Sequence, residues 1–413
     1  MFRRHLEGHL LALLEKPYVH ILFGARQTGK STLIRALLPS PEIVLDFSDP
    51  AQRSEYLVRP EMLIDRCRAL APQRTGRVVI IDEAQAVPAI FDAVQHLYDS
   101  DKTRWRFVLC GSSARKLRTI GANLLPGRSI LHKLLPLTLA ERPAPPTGRA
   151  PALAFRVPIA LESPAPPRFP HADLVERLAF GDLPGVVLAD EEVRPELLKS
   201  YTQVYLQEEI RREALVKDWP AFVRFLELAA AESGQIVDYA HIARHAGISP
   251  PTAKSYYQLL EDMFVGFTVP GFSGSPRKRL LSTSRFFFFD LGVRHAAARL
   301  APSAATVLAS PGPIFEQWVV LELHRRCQYL GAGSLTHYRT RGGMEIDCIL
   351  TLDGRHYPIE AKWTDRPDAA DAKHVAAFLA DRGKQAPCGF VVCRTKHAQQ
   401  IAPNVLALPW QLL

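Results

Sequence analysis

Short apolar runs alternate with segments of helical spacing along the first 142 residues. Four of these runs have the length of buried strands and lie at residues 19–23, 42–47, 77–81 and 106–110. A fifth strand is predicted from Ser129 to Leu137, and helices are predicted within residues 1–18, 33–38 and 54–70. An uninterrupted run such as 78–81 is typical of a parallel strand that is covered on both faces. The pattern therefore predicts an α/β domain over residues 1–142.

The pattern changes at residue 143. Nine prolines between residues 143 and 170 resist regular structure, which predicts a linker or an inserted loop at a domain boundary. Residues 171–310 have mainly helical spacing, with helices expected near 191–216 and 218–233. From residue 311 onward the predicted order is α-β-β-β-α-β. Its elements are expected at 315–323, 336–339, 344–350, 356–363, 367–381 and 389–393.

The loop after the first strand carries the phosphate-binding pattern GxxxxGK[ST]. The residues predicted to bind nucleotide are Gly24, Ala25, Arg26, Gln27, Thr28, Gly29, Lys30, Ser31 and Thr32. Backbone N–H groups of such a loop and the positive end of the next helix hold a polyphosphate, and the glycines let the backbone close around it. Lys30 is expected to reach the β- and γ-phosphates, and Ser31 is expected to ligate Mg²⁺. ATP and Mg²⁺ are therefore the predicted cofactors.

Polar residues at the ends of two later strands complete the predicted ATPase site. Asp82 is expected to hold Mg²⁺ through water, and Glu83 is expected to polarise the attacking water. Ser112 and Ser113 follow the next strand, at the sheet edge where ligands of open α/β sheets bind. These two serines are predicted to sense the γ-phosphate.

An arginine finger is also expected in this half. Arg128 is a candidate to contribute positive charge to the ATP of a neighbouring subunit. Arg115 and Arg118 are competing candidates. The alternative interpretation of Arg128 is a surface arginine in a turn.

Residues 236–264 have a helix-turn-helix pattern. Asp238 is expected to cap one helix, and Ser249 with Pro250 is expected to begin the second. The residues predicted to contact DNA are Thr252, Lys254 and Tyr256 on the outward face of that helix and Arg277, Lys278 and Arg279 in a basic hairpin.

The local charge supports this prediction. Six Lys or Arg oppose two acids between residues 241 and 285, a net charge of +4. A winged helix of this kind places its second helix in a major groove and its wing on phosphates. The alternative is a structural winged helix that contacts proteins. Residues 286–290 are predicted to form a buried strand.

A second constellation lies near the carboxyl terminus. Glu360 and Lys362 are two positions apart on a predicted strand and therefore point to the same face. If Asp347 on the preceding strand faces the same way, two carboxylates and an ammonium converge, and Glu316 can join them from a helix. Asp347 and Glu360 are the predicted ligands of Mg²⁺, which stabilises developing charge on a phosphodiester while the lysine positions or deprotonates water. The alternative is a domain that binds without cleaving.

The motifs together resemble a known family. Residues 24–31, 79–85, 111–113 and 126–136 are similar to the ATPase module of a widespread prokaryotic AAA+-like family, in which a carboxy-terminal domain of poorly defined function follows. The resemblance covers nearly the whole chain and implies a five-stranded parallel sheet between helices and assembly into rings. The carboxy-terminal quartet resembles the core of PD-(D/E)xK nucleases. The proline-rich join is longer than expected for the family.

Composition limits the choice of function. A length of 413 residues predicts two or three domains, and a net charge of +9 is compatible with a polyanionic partner. The six cysteines form no CxxC pair, which argues against a zinc site or a disulfide framework. The charged amino terminus and the short apolar run at residues 10–14 suit neither a signal core nor a membrane span. A cytoplasmic protein without membrane contact is expected.

The predicted α/β architecture has four segments. They are an AAA+-type ATPase domain (1–142), a linker (143–170), a helical and winged-helix DNA-binding region (171–310) and a PD-(D/E)xK nuclease-like domain (311–413). The predicted function is ATP-dependent binding and remodelling of branched junction DNA by a homo-oligomer, such as a hexameric ring. One alternative is a regulatory ATPase that acts on a protein partner and uses the nuclease-like domain only for binding. The other is a nuclease controlled by an ATP switch.

Overall fold

The computed structural model describes residues 2–71, 76–113, 125–142, 172–206, 210–211, 216, 218–273, 283–340 and 342–413. The proline-rich segment, the finger candidates Arg115 and Arg118, and the basic residues Arg277, Lys278 and Arg279 lie outside the described residues. Within the described ranges, no helix is long and apolar enough to cross a membrane. The chain divides into two compact units. The first unit comprises Arg4–Leu135 and Gln258–Val265, and the second unit contains Pro136–Tyr257 and Gly266–Leu413.

The first unit is a parallel sheet with helices. Its strands are β1 (Val19–Phe23), β2 (Ile43–Asp46), β3 (Arg77–Asp82), β4 (Trp105–Gly111) and β5 (Ser129–Lys133). Its helices are α1 (Leu6–Leu14), α2 (Lys30–Leu37), α3 (Pro50–Val58), α4 (Met62–Ala69) and α5 (Ile90–Ser100). The strand order is β2-β3-β4-β1-β5, and every pairing is parallel. The five-stranded parallel sheet expected from the sequence is confirmed.

Two boundaries in the first unit differ from the sequence prediction. The helix expected over residues 54–70 is divided into α3 and α4, because Arg59 precedes Pro60 and leaves the helical conformation with φ −135° and ψ 69°. The fifth strand ends at Lys133 and does not reach Leu137. The Leu134 N–H instead donates to the Phe23 carbonyl at 2.8 Å, next to the loop that follows β1.

The second unit contains most of the helices. They are α6 (Ala172–Phe180), α7 (Pro184–Leu188), α8 (Arg194–Ser200), α9 (Trp219–Ala231), α10 (Tyr239–Ala246), α11 (Pro250–Asp262), α12 (Leu291–Ala297), α13 (Ala304–Ala309), α14 (Pro311–Leu330) and α15 (Lys373–Arg382). The residues of α11 from Gln258 onward belong to the first unit. A π-helix at Tyr201–Leu206 follows α8, where a single longer helix was expected.

The strands of the second unit form two sheets. The strands are β6 (Gly266–Pro270), β7 (Ser284–Phe288), β8 (Ser334–Arg339), β9 (Glu345–Leu352), β10 (Arg355–Ala361), β11 (Gly389–Cys393), β12 (Gln399–Ala402) and β13 (Val405–Pro409). β6 and β7 form an antiparallel pair, and the others form a six-stranded sheet in the order β12-β13-β11-β10-β9-β8. The predicted α-β-β-β-α-β order is present as α14, β8, β9, β10, α15 and β11. The strands β12 and β13 extend the sheet beyond that order.

A buried ion-pair network joins the two parts of the second unit that the sequence separates at residue 310. Arg325 on α14 donates to Asp182 Oδ2 at 2.8 Å, and the Asp182 N–H donates to Asp290 Oδ2 at 2.7 Å. Arg177 and Arg142 also pair with Asp182, at 3.3 and 3.5 Å. Burial by itself would raise the pKa of Asp182, but the three guanidiniums outweigh it and hold that pKa below its ordinary value. The middle region and the carboxy-terminal region therefore fold as one compact unit.

Candidate functional site

The loop between β1 and α2 has the geometry of a phosphate cradle. Gly29 precedes α2 with a positive φ of 92°, a conformation that favours glycine. A Cβ on Gly24 would collide with the Leu134 carbonyl oxygen, so this position also requires glycine. The Thr28 hydroxyl donates to the Ala25 carbonyl at 2.9 Å and holds the turn. Such a loop, at the positive end of a helix, is suited to bind anionic groups.

Lys30 is buried at the start of α2 and bonds to the loop. Its Nζ donates to the carbonyl oxygens of Gly24 and Ala25 at 2.8 and 2.9 Å. Burial lowers the pKa of Lys30, and the negative charges of Glu83 and Asp82 oppose that shift. Because a phosphate offers a full negative charge in place of carbonyl dipoles, it would be the stronger partner for this ammonium.

The structure brings two predicted Mg²⁺ ligands together. Burial raises the pKa of Asp82, and a hydrogen bond from the Ser31 hydroxyl partly offsets that rise. The other predicted loop residues are less enclosed: Arg26 is half-buried, whereas Gln27 and Thr32 are exposed. The Ser31–Asp82 pair is therefore the place in the first unit where a nucleotide-bound Mg²⁺ would be held.

A polar triad positions Glu83. The Glu83 carboxylate accepts from the amide of Gln85 and from the Ser112 hydroxyl, the latter at 3.2 Å. Gln85 Nε2 also donates to Ser112 Oγ at 3.0 Å. A Cβ on Gly111 would lie 2.7 Å from Gln85 Oε1, so glycine is needed there. Ser113 is buried next in the chain. The predicted serine sensor thus contacts the predicted water-polarising residue, and its sensing role stays a prediction.

Two residues of this site were not predicted from the sequence. Gln85 follows Glu83 by two positions, and that short spacing was the available signal. Arg4 is 6% exposed, and its Nη1 donates to the Thr28 carbonyl at 2.8 Å. The sequence around Arg4 is charged and did not indicate that this side chain is buried. Its contact with Thr28 depends on how α1 packs, which the local sequence does not show.

We expect Glu83→Gln to lower ATP turnover by about 100-fold or more. The substitution removes a carboxylate that can activate water but keeps a side chain of the same size. ATP binding should persist, since Lys30 and the loop are unchanged. Phosphate release and equilibrium binding of a fluorescent ATP analogue measure the two properties separately. An equal loss of binding and turnover would contradict the assigned role, and Glu55→Gln on α3 is a matched exposed control.

Arg128 lies in the turn before β5. Its Nε donates to Asp99 Oδ1 at 2.7 Å, and both side chains are about one-third exposed, at 34% and 38%. Within the first unit Arg128 therefore has a carboxylate partner of its own. Its role as an arginine finger stays a prediction.

Three of the four predicted nuclease-type residues meet near the end of β10. The antiparallel register of β9 and β10 sets Asp347 next to Glu360. Asp347 Oδ2 accepts the Ala361 N–H at 2.8 Å. Lys362 Nζ donates to Glu360 Oε1 at 2.8 Å, so these two side chains share a face as strand alternation predicts.

Glu316, the fourth residue, is held by an arginine that the sequence analysis assigned elsewhere. Arg285 Nη2 pairs with the Glu316 carboxylate, and its Nη1 lies 3.3 Å from the Asp347 carbonyl oxygen. Arg285 is 6% exposed. Counting it with the basic surface of the DNA-binding region was therefore wrong. It directly precedes the buried run Phe286–Phe288 of β7, which was the available signal that it points inward.

In the carboxylate cluster, burial outweighs the nearby positive charges of Arg285 and Lys362. Burial raises the pKa of Asp347 well above its ordinary value, and the charges of Glu316 and Glu360 add to that rise. Burial also raises the pKa of Glu360, although Lys362 opposes the shift. Glu360 Oε2 is buried without a hydrogen-bond partner among the described residues. A cation shared by Asp347 and Glu360 would relieve both effects, so these residues fit Mg²⁺.

Such an ion would have two protein carboxylates. The described part of the chain contains no group of three or more His, Cys, Asp or Glu residues that could hold a metal ion. Mg²⁺ is often bound through one or two carboxylates, with water and substrate phosphate as its other ligands. The Asp347–Glu360 pair therefore suits an ion that binds together with a phosphate-containing substrate.

The two helices expected near residues 236–264 form as the sequence predicts. Asp238 caps α10 by accepting two backbone N–H groups at 2.9 and 3.0 Å, and Gly247 ends that helix with a φ of 73°. Ser249 Oγ accepts the Thr252 N–H at 3.3 Å at the start of α11. Thr252 is half-buried, and Lys254 is exposed.

The prediction that Tyr256 faces outward is wrong. Its side chain is 5% exposed, and its ring packs against Phe222 and Phe225 with centroid distances of 4.9 and 5.2 Å. Ala253, Tyr256 and Leu260 form one buried stripe along α11 at helical spacing. The phenol therefore belongs to the core, and Lys254 is left as the exposed cation of that helix.

Comparison with known families agrees with the geometry of the first unit. Residues 16–142 match the AAA domain family. Residues 171–304 match a domain of unknown function (DUF8612), and residues 311–413 match another (DUF4143). The chain thus carries an AAA-type ATPase domain followed by two domains without an assigned activity. The AAA domain suggests ATP hydrolysis and implies nucleotide binding, typically with Mg²⁺.

Similar proteins occur in several bacteria. An uncharacterized protein of Mycobacterium tuberculosis is 23% identical over 408 residues, which cover 98% of this chain and 83% of that protein. An uncharacterized protein of Mycobacterium bovis matches with the same identity and coverage. An uncharacterized protein of Haemophilus influenzae is 23% identical over 371 residues, with 81% of each chain covered. The similarity to the mycobacterial proteins therefore extends through both units.

Proposed function

We propose that this protein is an oligomeric ATPase that binds and remodels branched DNA and cleaves phosphodiester bonds with Mg²⁺ at the Asp347–Glu360 pair. The observation that carries the DNA part of the proposal is the meeting of half-buried Asp347 and buried Glu360 beside Lys362. One oxygen of Glu360 has no hydrogen-bond partner among the described residues. Two carboxylates and an ammonium suit a phosphodiester, since they supply a metal site and a cation for the phosphate oxygens.

The residues of the carboxylate cluster would have different roles in phosphodiester cleavage. Bound Mg²⁺ would stabilise the negative charge that develops on the phosphate. Asp347 and Glu360 would hold the ion, and Lys362 would position water or a phosphate oxygen on the same face of β10. Arg285 would neutralise Glu316, which keeps that carboxylate from repelling the substrate.

The residues of the first unit would act on ATP. The loop N–H groups and the positive end of α2 would hold the phosphates, and Lys30 would exchange its carbonyl partners for phosphate oxygens. Glu83, aligned by Gln85 and Ser112, would orient and polarise the attacking water. Ser112 contacts Glu83. A change in the position of Ser112 on loss of the γ-phosphate would therefore change the position of the carboxylate that polarises water.

The order of α10, α11, β6 and β7 supports a winged helix as the proposed duplex-binding element. Two helices joined by a capped turn are followed by an antiparallel strand pair. The residues between β6 and β7 include the basic sequence Arg277-Lys278-Arg279, which would contact phosphates as the wing. Lys254 would lie on the exposed side of α11.

ATP hydrolysis tests the proposal most directly. Turnover would be measured at one moderate salt concentration with no DNA, linear duplex, single strand and a four-way junction, because salt alone changes DNA affinity. We expect the junction to raise turnover above the linear duplex. Equal turnover with every DNA would reject DNA remodelling. Cleavage of the junction would be followed in the same samples with Mg²⁺ and with a chelator.

Mg²⁺ binding at the carboxylate pair can be tested without cleavage. In the absence of nucleotide, Mg²⁺ at ten times its Kd should stabilise the protein by about 1.4 kcal/mol, seen as a higher melting temperature. Asp347→Asn should abolish that increase, because it removes one of two ligands. Asp353→Asn in the exposed turn after β9 is the matched control and should keep it. A Mg²⁺ response that survives Asp347→Asn would contradict the site.

A second candidate function is a regulatory switch on a protein partner. The charge of α11 favours it: the helix carries one lysine against two acids, so its net charge is −1, which is unusual for a helix that enters a DNA groove. In that case ATP turnover would not respond to DNA, and partner binding would change little with salt.

A further inference from the structure

A pocket lined by both charged and apolar residues lies just beyond the carboxyl end of β10, in the second unit. It has a volume of about 700 Å³ and is lined by residues that follow β10 and residues that follow β11, with Leu174 and Val175 of α6 on another side. β10 and β11 are parallel neighbours, so both following loops leave from the same sheet edge. This edge is where ligands of α/β sheets usually bind. The volume is within the range of small-molecule sites.

The pocket has an excess of positive charge. Arg366, Arg394 and Lys396 line it, against the single carboxylate of Asp365. Among the described residues, none of the three cations has an ion-pair partner. A concave surface with two more cations than anions attracts anionic ligands.

One of these cations lies over the face of an aromatic ring. The Arg394 guanidinium carbon lies 4.2 Å from the Trp363 ring centroid. Phe315 packs edge-on against Trp363 at 5.6 Å and fixes the indole. Arg394 Nε is buried without a hydrogen-bond partner among the described residues. A guanidinium fixed in this way offers a flat surface on which a nucleobase stacks, together with donors for phosphate.

We propose that this Trp363–Arg394 pocket binds a nucleoside phosphate that belongs to an unpaired DNA strand. The base stacks on the Arg394 guanidinium, and Arg366 and Lys396 hold the phosphate. Trp363 directly follows Lys362, and Phe315, which packs against Trp363, directly precedes Glu316. The pocket and the carboxylate cluster are therefore built on the same two backbone segments, so the strand would be held near the carboxylate pair. The choice of a DNA strand rests on the proposed function, whereas the nucleoside phosphate chemistry rests on the pocket alone. A free nucleotide is the other source of this chemistry.

Strand binding is measured with the full chain carrying Lys30→Ala, which weakens the ATP site, in a chelator that prevents cleavage. The probe is a 5′-phosphorylated six-thymidine strand with a fluorophore at its 3′ end, and AMP is the competitor. Arg394→Lys keeps the charge but loses the flat surface, and it should weaken strand binding by about tenfold. Arg366→Met removes a phosphate contact and should lower the slope of log affinity against log salt by about one.

Controls separate the pocket from general charge. Arg355→Met, at the exposed start of β10, removes the same charge elsewhere in the unit and should leave binding unchanged. Arg366 is itself exposed, so its substitution should not affect folding, which the melting temperature checks. Equal strand binding by wild type, Arg394→Lys and Arg366→Met would overturn the proposal. If AMP binds and the strand does not, the DNA strand is not the ligand of the pocket. A free nucleotide is then the ligand.

The two proposals fail in different ways. If Asp347-dependent cleavage is observed while the pocket variants bind the strand normally, the pocket inference alone is overturned. Suppose instead that the strand binds at the pocket, that junction DNA does not change ATP turnover, and that the junction is not cleaved. The proposed function is then overturned, and the proposal of a nucleoside phosphate pocket is retained.

Discussion

Replacing Lys30 with alanine is expected to lower ATP turnover by at least about 100-fold. Lys30 is buried in the phosphate loop, and its loss removes the ammonium that would face the β- and γ-phosphates. The fold should survive, because the Thr28–Ala25 bond and the Arg4–Thr28 bond hold the loop without it. The substitution removes a buried charge but also two hydrogen bonds to the loop, and these effects oppose each other, so the melting temperature should change little. Phosphate release and thermal unfolding measure the two effects.

Lys16→Ala is the matched control for this variant. Lys16 is exposed in the same unit, so its loss should leave turnover unchanged. DNA binding that persists in Lys30→Ala would separate the ATPase from the proposed DNA-binding regions. Unchanged turnover in Lys30→Ala would rule out the assigned nucleotide site.

Replacing Arg325 with methionine is expected to destabilise the second unit by about 3–5 kcal/mol. Arg325 is buried and donates to Asp182, to the Leu137 carbonyl at 2.8 Å and to the Phe289 carbonyl at 3.1 Å. Its loss leaves two buried carboxylates, Asp182 and Asp290, with less positive charge. Urea unfolding, followed by circular dichroism, gives the change in the free energy of unfolding.

The loss of stability should depend on pH with a definite sign. Burial raises the pKa of Asp290 to about 6, and Arg325 opposes that rise. Without Arg325 the folded-state pKa values of Asp290 and Asp182 move upward, so the folded variant binds more protons than the unfolded chain. Its stability therefore falls as pH rises through this range. The difference from wild type should be larger at pH 8 than at pH 6.

Arg299→Met is the control for the buried network. Arg299 pairs with Glu227 at 3.0 Å, but the two side chains are 69% and 37% exposed. Water already screens that pair, so its loss should cost less than about 1 kcal/mol. Equal destabilisation by the two substitutions, or a pH-independent loss in Arg325→Met, would contradict a buried network that depends on charge.

Local sequence predicted much of the candidate ATP site. The phosphate loop is one contiguous segment, and Asp82 and Glu83 directly follow an apolar run, so backbone geometry and strand length place them. The Gln85–Ser112 contact was not predictable in the same way, because it joins residues that follow two different strands. Arg285 was assigned to the wrong surface for a related reason. The sequence shows its charge, but it does not show that the side chain of Arg285 on β7 points into the interior.

The prediction for Tyr256 failed because a tyrosine suits both a core and a DNA surface. Its position on α11 was predicted correctly, since Ser249 and Pro250 mark the helix start. The face on which it lies depends on Phe222 and Phe225 of α9, which are distant in the sequence. The rings of those residues cover one side of α11, and that packing buries the phenol.

The sequence by itself determined the phosphate loop, the strands of the parallel sheet and the order of elements after residue 311. These features depend on backbone conformation and apolar periodicity within short segments, which single residues such as Gly29 and Pro60 control. Only the tertiary structure decided that Arg325 joins the middle and carboxy-terminal regions, that Arg285 pairs with Glu316, and that Arg394 lies over the ring of Trp363. Those contacts join residues far apart in the chain, because strand register and helix packing set which side chains meet and which charges are excluded from water.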